Sequence, residues 1–258
     1  MAELPDLTVF ANTLNSLFKS KTLKTLDVVI AKKLNVTTSE LKSKLEGQKL
    51  ETVKREGKTL QFHFGKNEIL GLHLMLRGEL QQITKGEDHP KHSILVFHFS
   101  GGGSLAVTDM LKQATPTLNP PENNIPDALD ISEADFHTLL AKKSKKIKEV
   151  LMDQKSIRGI GNSYADEILW EARISPLSKA NAIPEDVVRK LHTAIIEVLK
   201  DAIKKIAKEN KEELHGELRD FMKIHGAHIK QSPTGHQIHS EKISGRTAYF
   251  TSEQKKYD

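Results

Sequence analysis

The stretch from Leu151 to Glu167, LMDQKSIRGIGNSYADE, decides how the rest of the chain is interpreted. Gly159 and Gly161 allow a tight turn, and Asn162 or Ser163 can cap a helix that begins directly after it. A helix N-terminus with free N–H groups beside an amide side chain is a ready site for a phosphate group. A glycine turn with an ordinary asparagine cap fits the same residues equally well, so this fragment alone leaves both interpretations open.

The same region is locally basic. Residues 142–158 carry seven Lys or Arg side chains against two acidic ones, a surplus that equals the formal net charge of +5 of the whole chain. Such a surplus can neutralise a nucleic-acid backbone, and Lys155 is one candidate for that contact. A solvated, lysine-rich helix face would give the same pattern, so the charge by itself does not decide.

Upstream of this stretch the periodicity of apolar residues changes. Residues 7–18 repeat apolar side chains every three or four positions, which predicts a helix. Residues 60–64, 70–76 and 95–99 alternate apolar and polar side chains between glycines, which predicts antiparallel strands in a sandwich or barrel-like sheet over about residues 22–112. Prolines and asparagines concentrate in residues 116–131, and we interpret this segment as a linker.

Downstream of the linker the pattern is helical. Ser132 is placed to cap one helix, a second is expected to run through the lysine cluster to Met152, and a third begins near Asn162. A long amphipathic helix follows Pro184, and strand and turn character returns over residues 228–250. The chain is therefore predicted to be an α+β protein.

Composition excludes several classes of protein. Hydrophobic residues make up 37% of the 258 residues and charged residues 28%, as in a soluble globular protein. No apolar run approaches the roughly 20 residues of a membrane-spanning helix, and the opening Glu3, Pro5 and Asp6 argue against a secretory or transit peptide. Because there is no cysteine, disulfides, thiolate zinc sites and cysteine nucleophiles are excluded. We expect a cytoplasmic location, with the nucleoid if the source is bacterial, and no membrane contact.

Four further motifs join the first stretch into one pattern. They are the opening Ala2–Asp6 (AELPD), Gly57-Lys58, the strand His73–Gly78 (HLMLRG) and the ending Gly245–Phe250 (GRTAYF). In this order and spacing, over nearly the full chain, they resemble the formamidopyrimidine-DNA glycosylase / endonuclease VIII family.

The resemblance implies a fold and its division into domains. Residues 1–115 would form a catalytic-type domain with an N-terminal helix and a β-sandwich, and residues 116–131 a linker. Residues 132–222 would form the helix–two-turn–helix DNA-binding domain, and residues 223–258 a zinc-finger-like β-hairpin. DNA would lie in the cleft between the two main domains.

The resemblance also implies catalytic roles. In the family the N-terminal proline attacks the sugar C1′ of a damaged nucleotide; here that position is Ala2, whose primary amine can still form a Schiff base with an abasic sugar. Glu3 would handle proton transfer at the sugar, Lys58 would assist β-elimination, and Arg246 would hold phosphate and assist δ-elimination. A free α-amine has a pKa of about 7.7–8.0.

The remaining family positions concern DNA contacts. Residues implied to contact DNA, besides Arg246, are His73, His92, Lys155, Gly161, Asn162 and Tyr164. The lesion-probing loop departs from the family pattern, because Asp109 is followed by Met110 and Leu111 without arginines or phenylalanine. Leu76, Met110 and Leu111 are therefore the candidates for a smaller apolar wedge that fills the space of a flipped nucleotide.

The zinc finger of the family has no cysteines here. They would fall near Ser232, Gly235, Thr251 and Gln254. A hairpin without zinc, and no cofactor, is the expectation; the only candidate zinc ligands are His225, His228, His236 and His239, whose spacing does not match the family's ligand positions.

Taken together, the leading hypothesis is a base-excision repair glycosylase with abasic-site lyase activity that acts through a Schiff base on the N-terminal amine. The alternative is a non-catalytic binder of abasic or otherwise damaged DNA that uses the same cleft. A protein that kept the fold without binding DNA is a third possibility. The expected partner is double-stranded DNA with a damaged or abasic nucleotide, and the resemblance implies a monomer.

Overall fold

A computed structural model describes residues 1–84, 86–209, 214 and 217–258 of the chain. The chain divides into two compact units. The first comprises Met1–Asn123 with Ile206–Glu217, and the second comprises Asn124–Lys205 with Leu218–Asp258.

The described part of the first unit is a helix-flanked β-sandwich. Its elements are α1 (Leu4–Phe18), β1 (Leu23–Val28), α2 (Thr38–Leu45), β2 (Leu50–Glu56), β3 (Thr59–Phe64), β4 (Glu68–His73), β5 (Gly78–Ile83), β6 (Ser93–Phe99), β7 (Ser104–Asp109) and β8 (Thr115–Leu118). One antiparallel sheet has the order β1-β6-β7-β5 and the other β2-β3-β4-β8. Strand β8 lies within the first residues of the predicted linker, with Pro116 opposite Leu72 at the sheet edge, where a missing N–H is tolerated.

Helix α1 forms where the apolar periodicity predicts it. Its N-cap is Glu3, and Pro5 lies in the first turn, where a proline costs no hydrogen bond. Leu7, Phe10 and Leu14 face the sandwich core and are almost fully buried. The core is continuous from this helix to the inward residues of both sheets, so the N-terminal residues are anchored on a rigid scaffold.

The described part of the second unit is helical, with one hairpin. Its elements are α3 (Glu133–Ala141), α4 (Ile147–Met152), α5 (Asn162–Glu171), α6 (Glu185–Glu209, whose last residues belong to the first unit), β9 (Ile238–Ile243) and β10 (Arg246–Thr251). The predicted cap is confirmed, since the Ser132 hydroxyl accepts a hydrogen bond from the N–H of Asp135. Strands β9 and β10 pair in an antiparallel hairpin.

The helix that was expected to run through the lysine cluster is shorter than predicted. Residues 142–146 are not helical, and α4 begins only at Ile147. The reason is a competing backbone pairing, because the Ile147 N–H donates to Ser178 and the Lys145 carbonyl accepts from Ala180. Among the described residues, no helix combines the length and hydropathy that crossing a lipid bilayer requires.

Candidate active site and nucleic-acid interface

The first three residues combine a buried carboxylate, that of Glu3, with part of the wall of a cavity in the first unit, which Met1 and Ala2 line. Glu3 is only 3% exposed, and its side chain accepts a hydrogen bond from the N–H of Asp6, while the Asp6 carboxylate accepts from the N–H of Glu3 at 2.9 Å. This reciprocal box fixes the Glu3 carboxylate at the start of α1. A cavity of about 440 Å³ is lined by Ala2, the residue before Glu3, together with Met1, Phe10, Leu76, Arg77, Gly78, Glu79, Leu214 and Glu217.

The first residue closes one side of this cavity. The amino group of Met1 forms an ion pair with the Glu217 carboxylate, and Ala2 packs partly buried against the sandwich core. Removal of Met1 would leave the amine of Ala2 at the cavity wall, one residue from the held carboxylate of Glu3. An amine and a carboxylate in this arrangement are the groups that imine chemistry at a sugar aldehyde requires.

The positive charge of Lys58 affects the ionisation of the His73 ring. Lys58 lies in the turn between β2 and β3, and His73 ends β4. Burial lowers the pKa of His73, and the positive charge of Lys58 lowers it further. The Nδ1 atom of His73 accepts a hydrogen bond from the Met75 N–H at 3.0 Å, so the proton of the neutral ring is on Nε2. His73 therefore offers a neutral N–H donor, of the kind that contacts a phosphate oxygen.

Two turns of the sandwich present the predicted wedge residues. In the described part of the chain, the exposed large hydrophobic side chains are Met110 (61%), Val29 (52%), Leu76 (50%) and Leu111 (44%), so all three wedge candidates are among them. The pairing of Gly78 with Asp109 places the two turns side by side.

Both turns are held by short-range contacts. A Cβ on Gly78 would lie 2.2 Å from the Leu74 carbonyl oxygen, so the turn after β4 requires glycine there. The Asp109 carboxylate accepts from the N–H groups of Leu111, Gln113 and Ala114 at 2.6–2.8 Å and so fixes the loop after β7. His92 is exposed beside this loop, and its carbonyl accepts from the Asp109 N–H.

In the second unit, Gln154 holds the glycine turn that precedes Asn162. Its amide donates to the carbonyls of Met152 and Ile160, and its Oε1 atom accepts from the Gly159 N–H at 2.9 Å. Helix α5 begins directly after this turn with Gly161 as the N-cap. The glycine turn and the helix that follows it therefore form where the sequence predicts them.

Asn162 does not cap the helix, contrary to one of the two interpretations of this fragment. It is the first helical residue, and its Nδ2 donates to the Thr247 carbonyl at 3.2 Å. Its Oδ1 is buried with no hydrogen-bond partner among the described residues. Arg246, the residue before Thr247, is exposed at the start of β10. The structure thus brings Asn162 and the hairpin arginine together, although 84 positions separate them in the sequence.

Lys148 belongs to the basic stretch of the sequence but is not on the surface. It is fully buried, and its Nζ lies 2.7 Å from Asp166 Oδ1 and 3.1 Å from the Thr247 carbonyl. Asp166 Oδ2 also accepts from the Tyr249 N–H and faces His225 Nδ1 at 2.7 Å. Lys148 therefore anchors the hairpin from inside, and it does not contribute to an outward-facing basic surface as the sequence analysis had assumed.

The other predicted DNA contacts of this unit differ in exposure. Lys155 is exposed and Gly161 is buried at the N-cap. The Tyr164 side chain is only 1% exposed, and the Arg219 guanidinium lies 5.3 Å from its ring centroid. The ring is packed inside the unit, so the DNA contact predicted for Tyr164 stays a prediction that concerns its backbone. The apolar periodicity of α5 already indicates that Tyr164 lies on the buried face of the helix.

Three hydroxyl groups meet a carboxylate where the hairpin cysteines would fall. Ser232, Thr234 and Thr251 all donate to Glu253, at 2.8–3.1 Å. Burial opposes ionisation of Glu253, but these hydrogen bonds and the Arg173 charge outweigh it and lower its pKa to about 2. Gln254 accepts from the Thr251 N–H and donates to the Ile174 carbonyl. Sequence reasoning missed this cluster, although the serine and threonine residues at the expected cysteine positions were visible.

The four candidate zinc histidines are not gathered. His225 faces Asp166, and His236 Nδ1 lies 3.5 Å from Glu253. His239 lies beside Phe250, with ring centroids 6.2 Å apart. Within the described ranges, three metal-binding side chains approach one another closely at one place only, which is in the first unit and contains none of these histidines.

Comparison with known proteins identifies the family. A model of the formamidopyrimidine-DNA glycosylase N-terminal domain matches residues 1–115, and a model of the formamidopyrimidine-DNA glycosylase H2TH domain matches residues 124–212. The formamidopyrimidine-DNA glycosylase of Lactiplantibacillus plantarum is 33% identical, over 79% of this chain and 78% of that protein. The chain belongs to the formamidopyrimidine-DNA glycosylase family.

Further relatives agree with this assignment. The formamidopyrimidine-DNA glycosylase of Lactobacillus delbrueckii subsp. bulgaricus is 32% identical over 99% of this chain and all of that protein. Lactococcus lactis Fpg in complex with an abasic-site DNA superposes with a TM-score of 0.88 at 27% identity, over 97% of this chain and 98% of that one. The same enzyme with a FAPY-dG DNA gives a TM-score of 0.88 at 27% identity, over 96% of this chain and 98% of that one. The predicted family, the α+β fold and the hairpin without cysteines are confirmed.

Proposed function

We propose that this family member removes damaged bases from DNA and cleaves the strand at the resulting abasic site, with the amine of Ala2 as nucleophile. The observation that carries the proposal is the Glu3 carboxylate, which is buried and held by the box with Asp6 directly after Ala2, and Ala2 lines the cavity. The box with Asp6 caps α1, and it also holds the Glu3 carboxylate one residue from the Ala2 amine. Its fixed position serves a proton transfer.

The proposed chemistry proceeds in two stages. The amine forms a bond to the sugar C1′ while the bond to the damaged base breaks, and the base leaves as an anion that takes a proton from water. The amine passes one of its own protons to the Glu3 carboxylate, and Glu3 returns that proton to the ring oxygen O4′ as the ring opens to a protonated imine. On an abasic sugar, the same imine forms from the aldehyde with loss of water. The Glu3 carboxylate then takes a C2′ proton while the C3′–O bond to the 3′ phosphate breaks, and water hydrolyses the imine and returns the amine.

DNA contacts in the proposal come from each unit. In the first unit Lys58 and the neutral His73 contact phosphates next to the lesion, and exposed His92 lies beside the wedge loop. In the second unit Asn162 and Arg246, joined through Thr247, hold the backbone. Lys155 adds a charge on the exposed surface.

Damaged DNA of two kinds is the proposed substrate class. Structural neighbours at 27% identity hold DNA with an abasic site and DNA with a FAPY-dG. The exposed Leu76, Met110 and Leu111 support a wedge that occupies the space of an extruded nucleotide, without the arginines and phenylalanine of the family loop. We therefore place abasic sites first among the substrates, since they need no contact from the divergent loop to a base.

The alternative function, a non-catalytic reader of damaged DNA, is favoured by one observation. In a chain that keeps Met1, the terminal amine is paired with Glu217, and the nitrogen of Ala2 is an amide that cannot attack a sugar. Such a chain would still present the wedge and the phosphate contacts. The state of the first residue therefore separates the two functions.

Borohydride trapping tests the proposal. Protein with Met1 removed is mixed with a duplex that contains one abasic site, and the trapped adduct is mapped by peptide mass. The Glu3→Gln variant, which keeps an oxygen for the cap, should lose strand cleavage while its affinity for the abasic duplex stays within a few-fold. The control is Glu79→Gln, which changes an exposed carboxylate on the same cavity and should cleave the abasic duplex normally.

Each other result has a defined meaning. An adduct that maps to a lysine, or cleavage by Glu3→Gln at the wild-type rate, would refute the assigned roles. Tight, lesion-selective binding without any adduct would replace the proposal by the alternative. Absence of a steep loss of affinity with added salt would exclude DNA contact of either kind.

A further inference from the structure

An outward-facing cluster of Asp27, His89 and His98 lies on the β1-β6-β7-β5 sheet of the first unit. Asp27 Oδ2 is 2.9 Å from His98 Nε2 and 3.4 Å from His89 Nε2, and one ligand atom from each of the three lies within 4.8 Å of the others. All three side chains are partly exposed, between 32% and 42%. A solvated ion could therefore reach them without any rearrangement of the core.

The sheet register explains why two of these residues meet. Asp27 is opposite Val96, and His98 is two residues further along β6, so Asp27 and His98 are diagonal neighbours on one face. Leu26 and Phe97 alternate with them and point into the core. The third member, His89, comes from the segment between β5 and β6. A rigid pair on the sheet thus faces one ligand on a loop.

Ser104 gives His98 a second contact of the kind that metal ligands have. It lies directly opposite His98 on β7, and its hydroxyl is 2.9 Å from His98 Nδ1. A hydroxyl can donate or accept. It can therefore donate to Nδ1 while Nε2–H faces Asp27, or accept from Nδ1–H when Nε2 uses its lone pair on an ion. Such a partner fixes the ring orientation and the tautomer of a ligating histidine.

We propose that Asp27, His89 and His98 form a binding site for a divalent transition-metal ion of the Zn²⁺ class. Two imidazoles and one carboxylate are a ligand set for such ions, with a fourth position left for water. Tetrahedral ligands at the usual bond lengths of about 2.0–2.1 Å are roughly 3.3 Å apart. The two distances from Asp27 Oδ2, 2.9 and 3.4 Å, need shifts of only a few tenths of an ångström. The two imidazole nitrogens lie within 4.8 Å of each other, and any remaining gap between them closes by movement of the loop that carries His89.

The ion would tie the segment that carries His89 to the sheet. His92 follows three residues later and borders the wedge loop through its contact with Asp109. Metal binding would therefore restrain the stretch that leads into this loop. The site itself does not depend on the proposed catalytic function, because none of its ligands belongs to the catalytic set.

Calorimetric titration of untagged protein with Zn²⁺ tests the site. The wild type should bind one equivalent, His89→Ala should weaken binding by more than about 100-fold, and Ser104→Ala should weaken it by about 10- to 100-fold, as for other second contacts of metal ligands. Because His89 is exposed on a loop, its replacement is not expected to disturb folding. The matched control is His228→Ala, which removes an exposed histidine of the group first considered for zinc and should bind as the wild type does.

Two results would overturn the proposal. One is the absence of saturable Zn²⁺ binding by the wild type. The other is binding that His89→Ala and His98→Ala leave unchanged, or that His228→Ala or His239→Ala abolishes, since the ion would then be held by the histidines of the second unit.

Discussion

Replacement of Lys148 by methionine should destabilise the second unit strongly, although Lys148 looks like one member of a solvated lysine cluster. Lys148 and Asp166 are both fully buried, and 2.7 Å separates their charged atoms. Methionine fills a similar volume but removes the Lys148 cation, so that, among the described residues, the Asp166 carboxylate keeps only His225 Nδ1 and the Tyr249 N–H as its partners. Removal of one partner from a buried pair costs about 3–5 kcal/mol, because the remaining charge stays uncompensated in the interior.

The natural control is the neighbouring lysine. Lys146 carries the same charge two residues earlier, is 40% exposed, and faces Glu241 at 3.8 Å. Its replacement by methionine should change the free energy of unfolding by less than about 0.5 kcal/mol. The comparison therefore isolates burial, since the two variants have the same net charge.

Urea unfolding followed by tryptophan fluorescence measures the difference. Trp170 is the only tryptophan of the chain and lies on α5, four residues after Asp166, so its signal reports on the second unit. A loss of 3–5 kcal/mol corresponds to roughly 6–20 °C in Tm for a protein of this size. A second readout is the salt dependence of DNA binding. Lys148→Met should leave its slope unchanged, whereas loss of a lysine that contacts phosphate lowers it by about one.

The reasoning would be refuted by two results in combination. The first is a free energy of unfolding of Lys148→Met within about 1 kcal/mol of the wild-type value. The second is a decrease in the salt dependence of its DNA binding by the amount expected for a lysine that contacts phosphate. Lys148 would then be a surface residue in solution, and the Thr247 carbonyl would have to be held by Asn162 alone.

Two further predictions concern the wedge and the hairpin. Leu76→Ala should weaken binding to an abasic duplex by about 1–2 kcal/mol, or roughly tenfold, without loss of stability. The control is Val29→Ala, which changes an equally exposed residue outside the wedge and should leave the affinity unchanged. Equal losses of affinity in both variants would reject the wedge. In the wild type, the ionised Glu253 contributes hairpin stability that is fully present above the ordinary glutamate pKa of 4.5 and is lost as the pH falls to about 2. Glu253→Gln should remove this pH-dependent contribution. Trp170 fluorescence between pH 5 and pH 2 follows this loss, because its indole N–H donates to Glu253, and a wild-type profile in Glu253→Gln would contradict the assignment.

Local patterns were sufficient for most of the fold. The helix over residues 4–18, the alternating strands and the glycine turn before Asn162 depend on periodicity and turn chemistry within a few residues, which a sequence displays directly. The end of α3 and the late start of α4 were not predictable in this way. There the backbone of residues 145–147 pairs with residues 178–180, and a pairing over more than 30 residues leaves no local signal.

The candidate site was predictable where a family motif fixes a position, and less so where partners decide a role. The roles of Glu3, His73 and Arg246 come from their motifs and stay predictions. The burial of Lys148 depends on Asp166, 18 positions away, and the orientation of the Asn162 amide depends on Thr247, 85 positions away. A count of charges treats every lysine as solvated, so it cannot separate a lysine that anchors a hairpin from one that faces a nucleic acid.

The hairpin shows how such long-range partners can replace a metal. At the positions near which family members carry cysteines, Ser232 and Thr251 are buried and donate to Glu253, while Gln254 joins the Thr251 N–H to the Ile174 carbonyl. A zinc ion holds its hairpin through four bonds to one centre. Here the Glu253 carboxylate accepts hydrogen bonds from several hydroxyl groups and so joins the same parts of the hairpin. The hairpin that presents Arg246 therefore depends on the ionisation of Glu253, so acid should release it and a chelator should not.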